Sequence, residues 1–459
     1  MSDLTDPPRP SGAAQDFSRF IPQRSFGLKL LLVCALALLM AIPAVFVWGL
    51  IEQRARDATN AAASVHQDWG GGPQTLIGPV IAVPYERDML VDNKIQTVSG
   101  DLVLYPETGA ATATLTTTAL SKGLQHIPVY TVDAAFSARF EPRRLEPVAP
   151  AGARVNWTEA RLYLSASQPQ GAQSAIVRVN GQALELTPSG GGTLSYQPLF
   201  AASLADADLA AADALEVTAD LRFRGAQRFA FAPFAKNTTI TVAGDWPDPK
   251  FDGGKLPDAR TVTAQGFTAS WSIPFLARGV PGAGADLTFN DFAATTPGVT
   301  LIDEANPYQK VIRALKYAPM FMGLVFLTYF LFETSSGRRA HPAQYVLVGL
   351  AQTVFYMLML SISEIVGFTA GFIAAASATV LAISLYAGAV FGSRAAALRA
   401  LGVFAGLYAL IYVLLSMETY ALLVGSLASF LAITGAMWMT RRLDWYGAGR
   451  AFSPGGQTA

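Results

Sequence analysis

Six apolar stretches, arranged as one followed by five, constrain this 459-residue chain more than any other feature. Each is long enough, at 1.5 Å of rise per helical residue, to cross a hydrocarbon core roughly 30 Å thick. The predicted spans are residues 30–51, 315–332, 345–362, 368–391, 398–416 and 420–439. Because residues 52–314 are hydrophilic, the sequence predicts an integral membrane protein with six transmembrane helices and one large insert after the first helix.

Basic residues at the termini and short loops fall on one side of this six-span arrangement. Segments rich in Lys and Arg are retained on the cytoplasmic side of a membrane. These basic residues are Arg19, Arg24, Lys29, Arg338, Arg339, Arg394, Arg399, Arg441 and Arg442. The short loops on the other side, 363–367 and 417–419, contain Glu364 and Glu418 and no basic residue. We therefore expect both termini in the cytoplasm and the insert in the periplasm.

A cleaved signal peptide is the alternative interpretation of the first apolar stretch. Residues 30–51 are longer than the 7–15-residue apolar region of a signal peptide. Glu52, Arg54 and Arg56 follow directly, without a small-residue cleavage pattern. We therefore expect this stretch to remain in the protein as its first membrane helix.

The insert begins with a helical pattern and continues with a strand pattern. Residues 52–68 are rich in Ala, Arg, Glu and Gln, which favours a helical stalk that ends at the glycines 70–72. Two-residue alternation then predicts strands at 76–85, 101–105, 129–140, 161–165, 175–179, 184–186, 215–223, 228–231, 238–242 and 267–273. We expect a hairpin through residues 224–226. Short strands with Gly and Pro turns predict one or two β-sandwich-like domains.

The predicted domain organisation follows from these patterns. It comprises a cytoplasmic tail (1–29), transmembrane helix 1 (30–51), a periplasmic β-rich domain with its stalk (52–314), a five-helix transmembrane bundle (315–446) and a second cytoplasmic tail (447–459). The single cysteine, Cys34, lies in the first span, so no disulfide can form within the insert. The formal net charge is zero and no basic patch is present, which argues against nucleic acid as a partner.

The sequence contains no motif for catalysis or for metal or cofactor binding. His66, His126 and His341 lie in three different segments, and no His-Glu-x-x-His helix or cysteine pair accompanies them. The glycines at 70–72 and 190–192 do not lead into Gly-Lys-Ser/Thr, and no Gly-x-Ser-x-Gly elbow occurs. We therefore expect no catalytic residue, no cofactor, no metal and no enzyme activity.

Three other groups of residues are candidates for a role in the membrane region. Ionisable residues at span ends, with interfacial placement as the first interpretation and pairing or gating as the alternative, are Lys316, Glu333, Glu364 and Glu418. Residues that could dock a cytoplasmic partner or anionic lipid before the third span are Arg338, Arg339 and His341. Glycines whose four-residue spacing favours close helix packing are Gly367, Gly371, Gly388, Gly392, Gly402 and Gly406.

Several short motifs resemble those of a known family. They occur in a fixed order between about residues 26 and 446. They include Gly78-Pro79, Trp246-Pro247-Asp248-Pro249, Gly266-Phe267-Thr268-Ala269, Pro307-Tyr308-Gln309-Lys310, His341-Pro342-Ala343-Gln344-Tyr345 and Leu443-Asp444-Trp445-Tyr446. Together they resemble the CreD family of inner-membrane, cell-envelope integrity proteins. The resemblance implies an inner-membrane location and an envelope role linked to stress responses, and it implies no reaction. The chain departs from the family pattern at residues 167–171, Ser-Gln-Pro-Gln-Gly, where an acidic and basic pair is expected.

These observations favour a noncatalytic membrane protein whose β-rich domain binds or scaffolds in the periplasm. The expected partners are the lipid bilayer and a periplasmic envelope or cell-wall component. The first alternative is a transporter or lipid-handling protein in which the five C-terminal helices carry the activity. The second is an enzyme acting on peptidoglycan or lipid intermediates.

Overall fold

The computed structural model describes residues 26–91, 94–122, 125–190, 197–207, 209–288, 295–301, 307–336, 340–416 and 421–441. The chain divides into two compact units. One unit comprises Met1–Arg56 with Ala305–Ala459, and the other comprises Asp57–Glu304. We call them the helical unit and the β unit.

Long apolar helices make up the helical unit. The α-helices of the chain are α1 (Phe26–Leu39), α2 (Ala41–Trp69), α3 (Phe275–Arg278), α4 (Pro307–Ser336), α5 (Pro342–Val366), α6 (Phe368–Phe391), α7 (Arg394–Ser416) and α8 (Ala421–Thr440). Among the described residues, the segments long and apolar enough to cross a membrane are Lys29–Trp69, Tyr308–Thr334, Pro342–Val366, Phe368–Phe391 and Arg394–Ser416. The apolar part of α8, Leu423–Trp438, is shorter. One apolar helix before the β unit and several after it confirm the predicted fold class.

A proline explains the irregularity between α1 and α2. Pro43 has no backbone N–H and cannot donate to the carbonyl of Leu39. Hydrogen bonds from Met40 N–H to Leu36 (3.0 Å) and from Ala44 N–H to Met40 (3.3 Å) continue the helical path on both sides of this gap. The first apolar segment therefore continues through the irregular turn into α2.

Aromatic contacts fix the neighbouring helices of the helical unit. The Phe355 ring of α5 lies edge-on to Phe372 of α6 and Tyr408 of α7, with centroid distances of 5.7 and 4.9 Å. Tyr329 of α4 meets Tyr345 of α5 at 5.1 Å in the same geometry. Such pairs contribute about 0.5–1.5 kcal/mol beyond the burial of area. These contacts therefore connect α4 through α7 into one core.

The β unit consists of strands with a few short helices. Its strands are β1 (Gln74–Val91), β2 (Lys94–Leu104), β3 (Thr108–Lys122), β4 (Gln125–Phe140), β5 (Arg154–Val155), β6 (Arg161–Ala166), β7 (Ala172–Val179), β8 (Gln182–Leu184), β9 (Thr187–Ser189), β10 (Leu199–Ser203), β11 (Leu215–Ala226), β12 (Arg228–Phe231), β13 (Asn237–Gly244), β14 (Pro249–Asp252), β15 (Ala259–Thr263), β16 (Gly266–Ile273), β17 (Ala283–Ala285) and β18 (Gly298–Leu301). Short 3₁₀ helices cover Pro142–Val148, Trp157–Glu159 and Pro169–Gly171.

The strands form two sheets. The eight-stranded sheet has the order β15-β16-β13-β3-β4-β11-β7-β8. The ten-stranded sheet follows the path β14-β18-β12-β1-β6-β10-β9, with β2 and β5 paired to β1, and β17 paired to β2. Strand β3 runs parallel to β13, and β1 runs parallel to β12. Because parallel neighbours cannot be joined by a tight hairpin, long stretches of chain separate these strands.

The two sheets share one hydrophobic core. Burial alternates at every residue of β11 from Leu215 to Phe223, as expected for a strand with one covered face. The buried Val217 of this strand belongs to the same cluster as Phe229 and Phe231 of the ten-stranded sheet. Trp271 of β16 is also fully buried there. This shared core makes the β unit a two-layer sandwich.

The predicted hairpin between residues 215–223 and 228–231 is wrong. Strand β11 pairs with β4 and β7 in the eight-stranded sheet, whereas β12 pairs with β1 and β18 in the ten-stranded sheet. The chain changes sheets at Gln227, whose φ of 65° lies in the left-handed region. Gly225 passes close to the Tyr130 ring, and a Cβ there would lie 2.5 Å from the hydroxyl oxygen. The turn therefore connects two layers instead of reversing the chain within one sheet.

Strand β3 lies outside the predicted strands. Its inward positions begin with Gly109, Ala111 and Ala113, which are small side chains. The outward positions are also small, so the alternation of hydrophobicity along this strand is weak. In the structure β3 pairs with β4 along its full length, from Thr108 to Lys122. Its place in the middle of the sheet is set by these long-range pairings.

Candidate functional site

Glu333 is the centre of a polar cluster in the helical unit. Its carboxylate accepts hydrogen bonds from the Tyr345 hydroxyl (2.8 Å) and from the Ala340 backbone N–H (2.8 Å), and it pairs with the Lys29 ammonium. The Glu333 side chain is 5% exposed and that of Lys29 is 26% exposed. A buried carboxylate needs such partners because an uncompensated buried charge is strongly destabilising. We call Lys29, Glu333, Ala340 and Tyr345 the Glu333 cluster.

The Glu333 cluster joins three helix ends. Lys29 lies near the start of α1, Glu333 in the last turn of α4 and Tyr345 in the first turn of α5. The opposite ends of α4 and α5 also meet, because the Tyr308 hydroxyl donates a 2.9 Å hydrogen bond to Glu364. Helices α4 and α5 therefore run antiparallel, with one carboxylate contact at each end of the pair.

The remaining ionisable candidates occupy different positions. Lys316 is exposed on α4. Glu418 lies outside the described residues. Of the residues predicted from span ends, the structure thus places Glu333 in a buried ion pair, Glu364 in a partly exposed hydrogen bond and Lys316 on the surface.

His341 has a defined structural role at the start of α5. Its Nδ1 accepts from the Ala343 N–H at 3.2 Å, and its own backbone N–H donates to the Gln344 side chain at 3.0 Å. This reciprocal capping box satisfies N–H groups at the helix start. Arg338 and Arg339 lie outside the described residues. Docking of a partner or of anionic lipid at these three residues stays a prediction.

Two of the predicted packing glycines lie at close helix contacts. A Cβ at Gly371 of α6 would clash with Ser363 of α5. A Cβ at Gly388 of α6 would lie 2.6 Å from the Cβ of Ala397 on α7. These glycines therefore allow α6 to approach both of its neighbours in the chain.

The other four glycines of the predicted pairs occupy helix ends or open surface. Gly367 (φ 83°) and Gly392 (φ 61°) have positive φ values at the ends of α5 and α6, where glycine carries no steric penalty. A Cβ at Gly402 or Gly406 of α7 would meet no described atom within 4 Å. Within the described residues, these two glycines thus make no close helix contact.

Trp69, the last residue of α2, is held in the β unit by residues that the sequence analysis did not select. The Arg224 guanidinium lies 4.2 Å from the centre of the indole ring. The indole N–H donates to the Tyr130 carbonyl at 3.2 Å. A cation–π contact of this kind contributes about 0.5–2 kcal/mol. These contacts fix the end of α2 against β4 and β11.

Residues 167–171, where the chain departs from the family pattern, pack against the start of β1. The buried Gln74 side chain accepts from the Gln168 N–H (2.9 Å) and donates to the Gln168 carbonyl (3.3 Å). The Ser167 hydroxyl oxygen accepts from the Thr75 N–H at 2.8 Å. Ser167 and the Gln168 backbone thus have protein partners and a structural role in the β unit.

The outward face of the eight-stranded sheet is a second candidate site. Strand pairing across β15, β16, β13, β3 and β4 aligns outward side chains in rows. The rows are Ala259, Ser270, Thr241, Thr112 and Ala135; Thr261, Thr268, Ala243, Thr114 and Asp133; and Ser272, Thr239, Ala110 and Ser137. All of these side chains are exposed or partly exposed. We call these positions the hydroxyl face.

Short side chains distinguish the hydroxyl face from an ordinary exposed sheet surface. Every position carries Ser, Thr or Ala except Asp133, and none carries Lys, Arg, Glu, Gln or a large apolar side chain. Strands favour Thr but not Ala, so strand propensity accounts for only part of this composition. Each hydroxyl can both donate and accept a hydrogen bond. The result is a nearly uncharged surface with hydroxyl groups at regular intervals.

Strands β11 and β7 border the hydroxyl face with charged side chains. Arg222 lies 3.4 Å from Asp133, and Arg178 lies 3.0 Å from Asp220. An open recess of about 290 Å³ lies where the hydroxyl face meets these ion pairs. Its lining includes Thr112, Asp133 and Ala135 of the hydroxyl face together with Ile176, Asp220 and Arg222. The four charged side chains are 42–60% exposed, so solvent screens their pairing and little stability follows from it. Their opposite charges leave this border neutral overall.

A pair of aspartates lies near the ten-stranded sheet. Asp286 accepts from the Tyr85 hydroxyl at 3.2 Å and from the Asp101 N–H at 3.3 Å. Burial, followed by the nearby charge of Asp286, raises the pKa of Asp101 above its ordinary value. Both effects disfavour the ionised form of Asp101. The contact joins β2 to Asp286, which directly follows β17, and ionisation of Asp101 at higher pH works against it.

The histidines lie apart from one another in the fold. His66 is in α2, His126 is in β4 and His341 caps α5. Across the part of the chain that the structure describes, no group of three or more His, Cys, Asp or Glu side chains could hold a metal ion. The absence of a metal site and of enzyme activity in the whole chain stays a prediction.

These elements define an integral membrane protein in which a two-sheet β unit is inserted between a first apolar helix and a group of further apolar helices. A family model described as inner membrane protein CreD matches residues 25–446. The inner membrane protein CreD of Escherichia coli (strain K12) is 30% identical over 423 residues, which cover 89% of this chain and 91% of that protein. The chain belongs to the CreD family of inner membrane proteins. The resemblance inferred from the motifs is confirmed, and the membrane-spanning helices contact the lipid bilayer.

Proposed function

We propose that this protein supports cell-envelope integrity as a noncatalytic binding or scaffolding protein of the inner membrane. The β unit lies in the periplasm and binds an envelope or cell-wall component through the hydroxyl face. The observation that carries this proposal is the hydroxyl face itself. Five paired strands present short side chains there, most of them Ser or Thr, and none of these positions carries Lys, Arg or Glu.

The distribution of basic residues supports the periplasmic location of the β unit. Lys29 lies near the start of α1, Arg394 begins α7 and Arg441 follows α8. In a six-span arrangement these positions lie on the same side of the membrane, and the positive-inside rule assigns that side to the cytoplasm. The insert between the first and second spans then lies on the opposite side.

The Glu333 cluster supports an anchoring role for the helical unit. Helix α1 precedes the β unit in the chain and α4 follows it, and the pair of Lys29 with Glu333 links these two helices. The pair joins α1 to α4 at ends of these helices that are remote from the β unit in the chain. It thereby helps the membrane helices on both sides of the β unit to act as one anchor.

Complementation tests this proposal in cells. A strain lacking the protein is supplied with the wild type, with the double variant Thr112→Lys/Thr241→Lys or with Ser99→Lys. The double variant places two long cations in the centre of the hydroxyl face, whereas Ser99 is exposed on β2 of the other sheet. At equal membrane levels, we expect the double variant to fail in restoring resistance to envelope-active agents and Ser99→Lys to succeed. Full complementation by the double variant would refute the proposal.

Transport or lipid handling by the helices is the second candidate function. The buried pair of Glu333 with Lys29 favours it, because ionisable groups inside a membrane bundle often belong to transport pathways. Glu333→Gln retains the shape and a hydrogen-bond acceptor but removes the negative charge. In the anchoring role, this variant complements whenever its membrane level matches that of the wild type, and any loss of function follows from a lower level. Loss of complementation by a normally inserted and stable Glu333→Gln protein would favour transport.

A further inference from the structure

We propose that the hydroxyl face binds a neutral, hydroxyl-rich polysaccharide chain. This inference rests on the proposed binding function of the β unit and names the chemical class of its partner. It follows from the spacing, the chemistry and the open shape of the hydroxyl face, which are considered in turn.

The strand register gives the hydroxyl face a regular spacing. Neighbouring strands lie about 4.7–4.9 Å apart, and alternate residues of one strand lie roughly 6.6–6.8 Å apart. Five strands and three rows therefore form a field of roughly 19 by 13 Å. The middle row carries hydroxyl groups on three adjacent strands, at Ser270, Thr241 and Thr112. A ligand that lies across the strands along the middle row meets hydroxyl groups on three of the five strands, and the row that contains Thr114 offers a polar side chain on four of the five.

The side chains of the hydroxyl face do not suit nucleic acids, anionic lipid surfaces or protein partners. Nucleic acids and anionic lipid surfaces are bound through Lys and Arg, which the hydroxyl face lacks. Stable protein interfaces are centred on large aromatic, apolar or Arg side chains, which it also lacks. Hydroxyl groups are donors and acceptors at once and match a partner that offers both along its length. A neutral polysaccharide has this property.

The shape of the hydroxyl face favours a chain over a small molecule. Small-ligand sites bury most of their ligand, whereas the recess lined in part by Ala135 is open. A single hydrogen bond made in competition with water contributes only about 0.5–1.5 kcal/mol. Repeated units along one chain multiply such weak contacts through their high effective concentration. A polymer therefore gains affinity on this surface that a single sugar does not.

Co-sedimentation with insoluble polysaccharides tests the inference. The full chain, purified in detergent micelles, is mixed with chitin or cellulose powder, with heparin beads as an anionic polymer, and with phospholipid vesicles. We expect retention on chitin or cellulose and its competition by soluble oligosaccharides of the same sugar. The variant Thr112→Lys/Thr241→Lys should reduce the bound fraction at least tenfold, and Ser99→Lys should leave it unchanged. Single Thr114→Lys provides a milder change on the same face if the double variant is unstable.

Each outcome of this experiment either supports or refutes the inference. Failure to bind either neutral polysaccharide, retention on heparin beads or vesicles alone, or equal binding by wild type and both hydroxyl-face variants would overturn it. Should polysaccharide binding fail while Thr112→Lys/Thr241→Lys still loses complementation, the binding function stands and the assigned ligand class is wrong. Should the double variant complement fully, the proposed function itself is refuted.

Discussion

Removing the Glu333 side chain is expected to destabilise the helical unit strongly. Glu333→Ala deletes the acceptor of two 2.8 Å hydrogen bonds and leaves the Lys29 ammonium without its carboxylate. Removing one partner of a buried ion pair lowers the free energy of unfolding by about 3–5 kcal/mol. Because Lys29 is 26% exposed and keeps part of its hydration, we expect the lower end of this range, about 3 kcal/mol.

Glu364→Ala is the matched control for Glu333→Ala. Glu364 lies at the opposite end of the α4 and α5 pair, is partly exposed and accepts a 2.9 Å hydrogen bond from the Tyr308 hydroxyl. Its removal should cost about 1 kcal/mol, the typical net value of one hydrogen bond. The two variants therefore differ by about 2 kcal/mol in the free energy of unfolding.

Unfolding in mixed detergent micelles measures this difference. The wild type, Glu333→Ala and Glu364→Ala are titrated with sodium dodecyl sulfate at neutral pH, and loss of helical structure is followed by circular dichroism. The variant at Glu333 should unfold at the lowest fraction of dodecyl sulfate. Equal midpoints for the two variants, or a wild-type midpoint for Glu333→Ala, would refute the inference that the Glu333 cluster joins α1, α4 and α5.

Two further predictions concern the β unit. Gly171→Ala should reduce the free energy of unfolding of the full chain by about 1–3 kcal/mol, because its Cβ clashes with the Arg224 carbonyl. Gly190→Ala, whose new Cβ would meet no described atom within 4 Å, should show no such loss in thermal unfolding. Asp101→Asn should stabilise the protein at neutral pH, because burial and Asp286 raise the folded-state pKa of Asp101. A raised pKa means that the folded state binds more protons than the unfolded state, so stability falls as pH rises above about 3.9. Unfolding midpoints measured at several pH values should show this fall in the wild type and a smaller one in the variant, and identical profiles would contradict the prediction.

The membrane helices could be predicted because long apolar stretches leave few alternatives. Their boundaries were harder to predict, since helix α4 begins at Pro307 and not at residue 315. Lys310, Arg313 and Lys316 lie in its first turns, where they lower the hydropathy without ending the helix. Hydropathy reports where a helix contacts lipid, whereas backbone hydrogen bonding determines where it starts.

The hydroxyl face could not be predicted because its central strand, β3, shows little contrast in hydrophobicity between its two faces. In β3 an outward Thr112 alternates with an inward Ala111 and Ala113, so both faces of the strand carry small side chains. The sequence pattern consequently gave no strand at residues 108–122. The register with β13 and β4, set by pairing with distant segments, brings these positions into rows.

The contacts at the candidate sites also depend on residues far apart in the chain. Lys29 and Glu333 are separated by 304 positions, and no local pattern connects them. Sequence reasoning placed Glu333 at a span end and named pairing as an alternative, but it could not name the partner. In the same way, the stacking of Arg224 on Trp69 appears only when β11 has paired within its sheet. Pairings of this kind are properties of the folded chain.

The location of the β unit is the central claim of this account, and cysteine labelling in intact cells tests it most directly. Cys34 is first replaced by serine, since it is the only cysteine in the chain. Thr112→Cys on the hydroxyl face and Arg399→Cys on α7 are then exposed to a membrane-impermeant maleimide after the outer membrane is permeabilised. We expect Thr112→Cys to be labelled at once and Arg399→Cys only after the inner membrane is disrupted. Labelling of Thr112→Cys only after disruption would place the β unit in the cytoplasm and contradict the account.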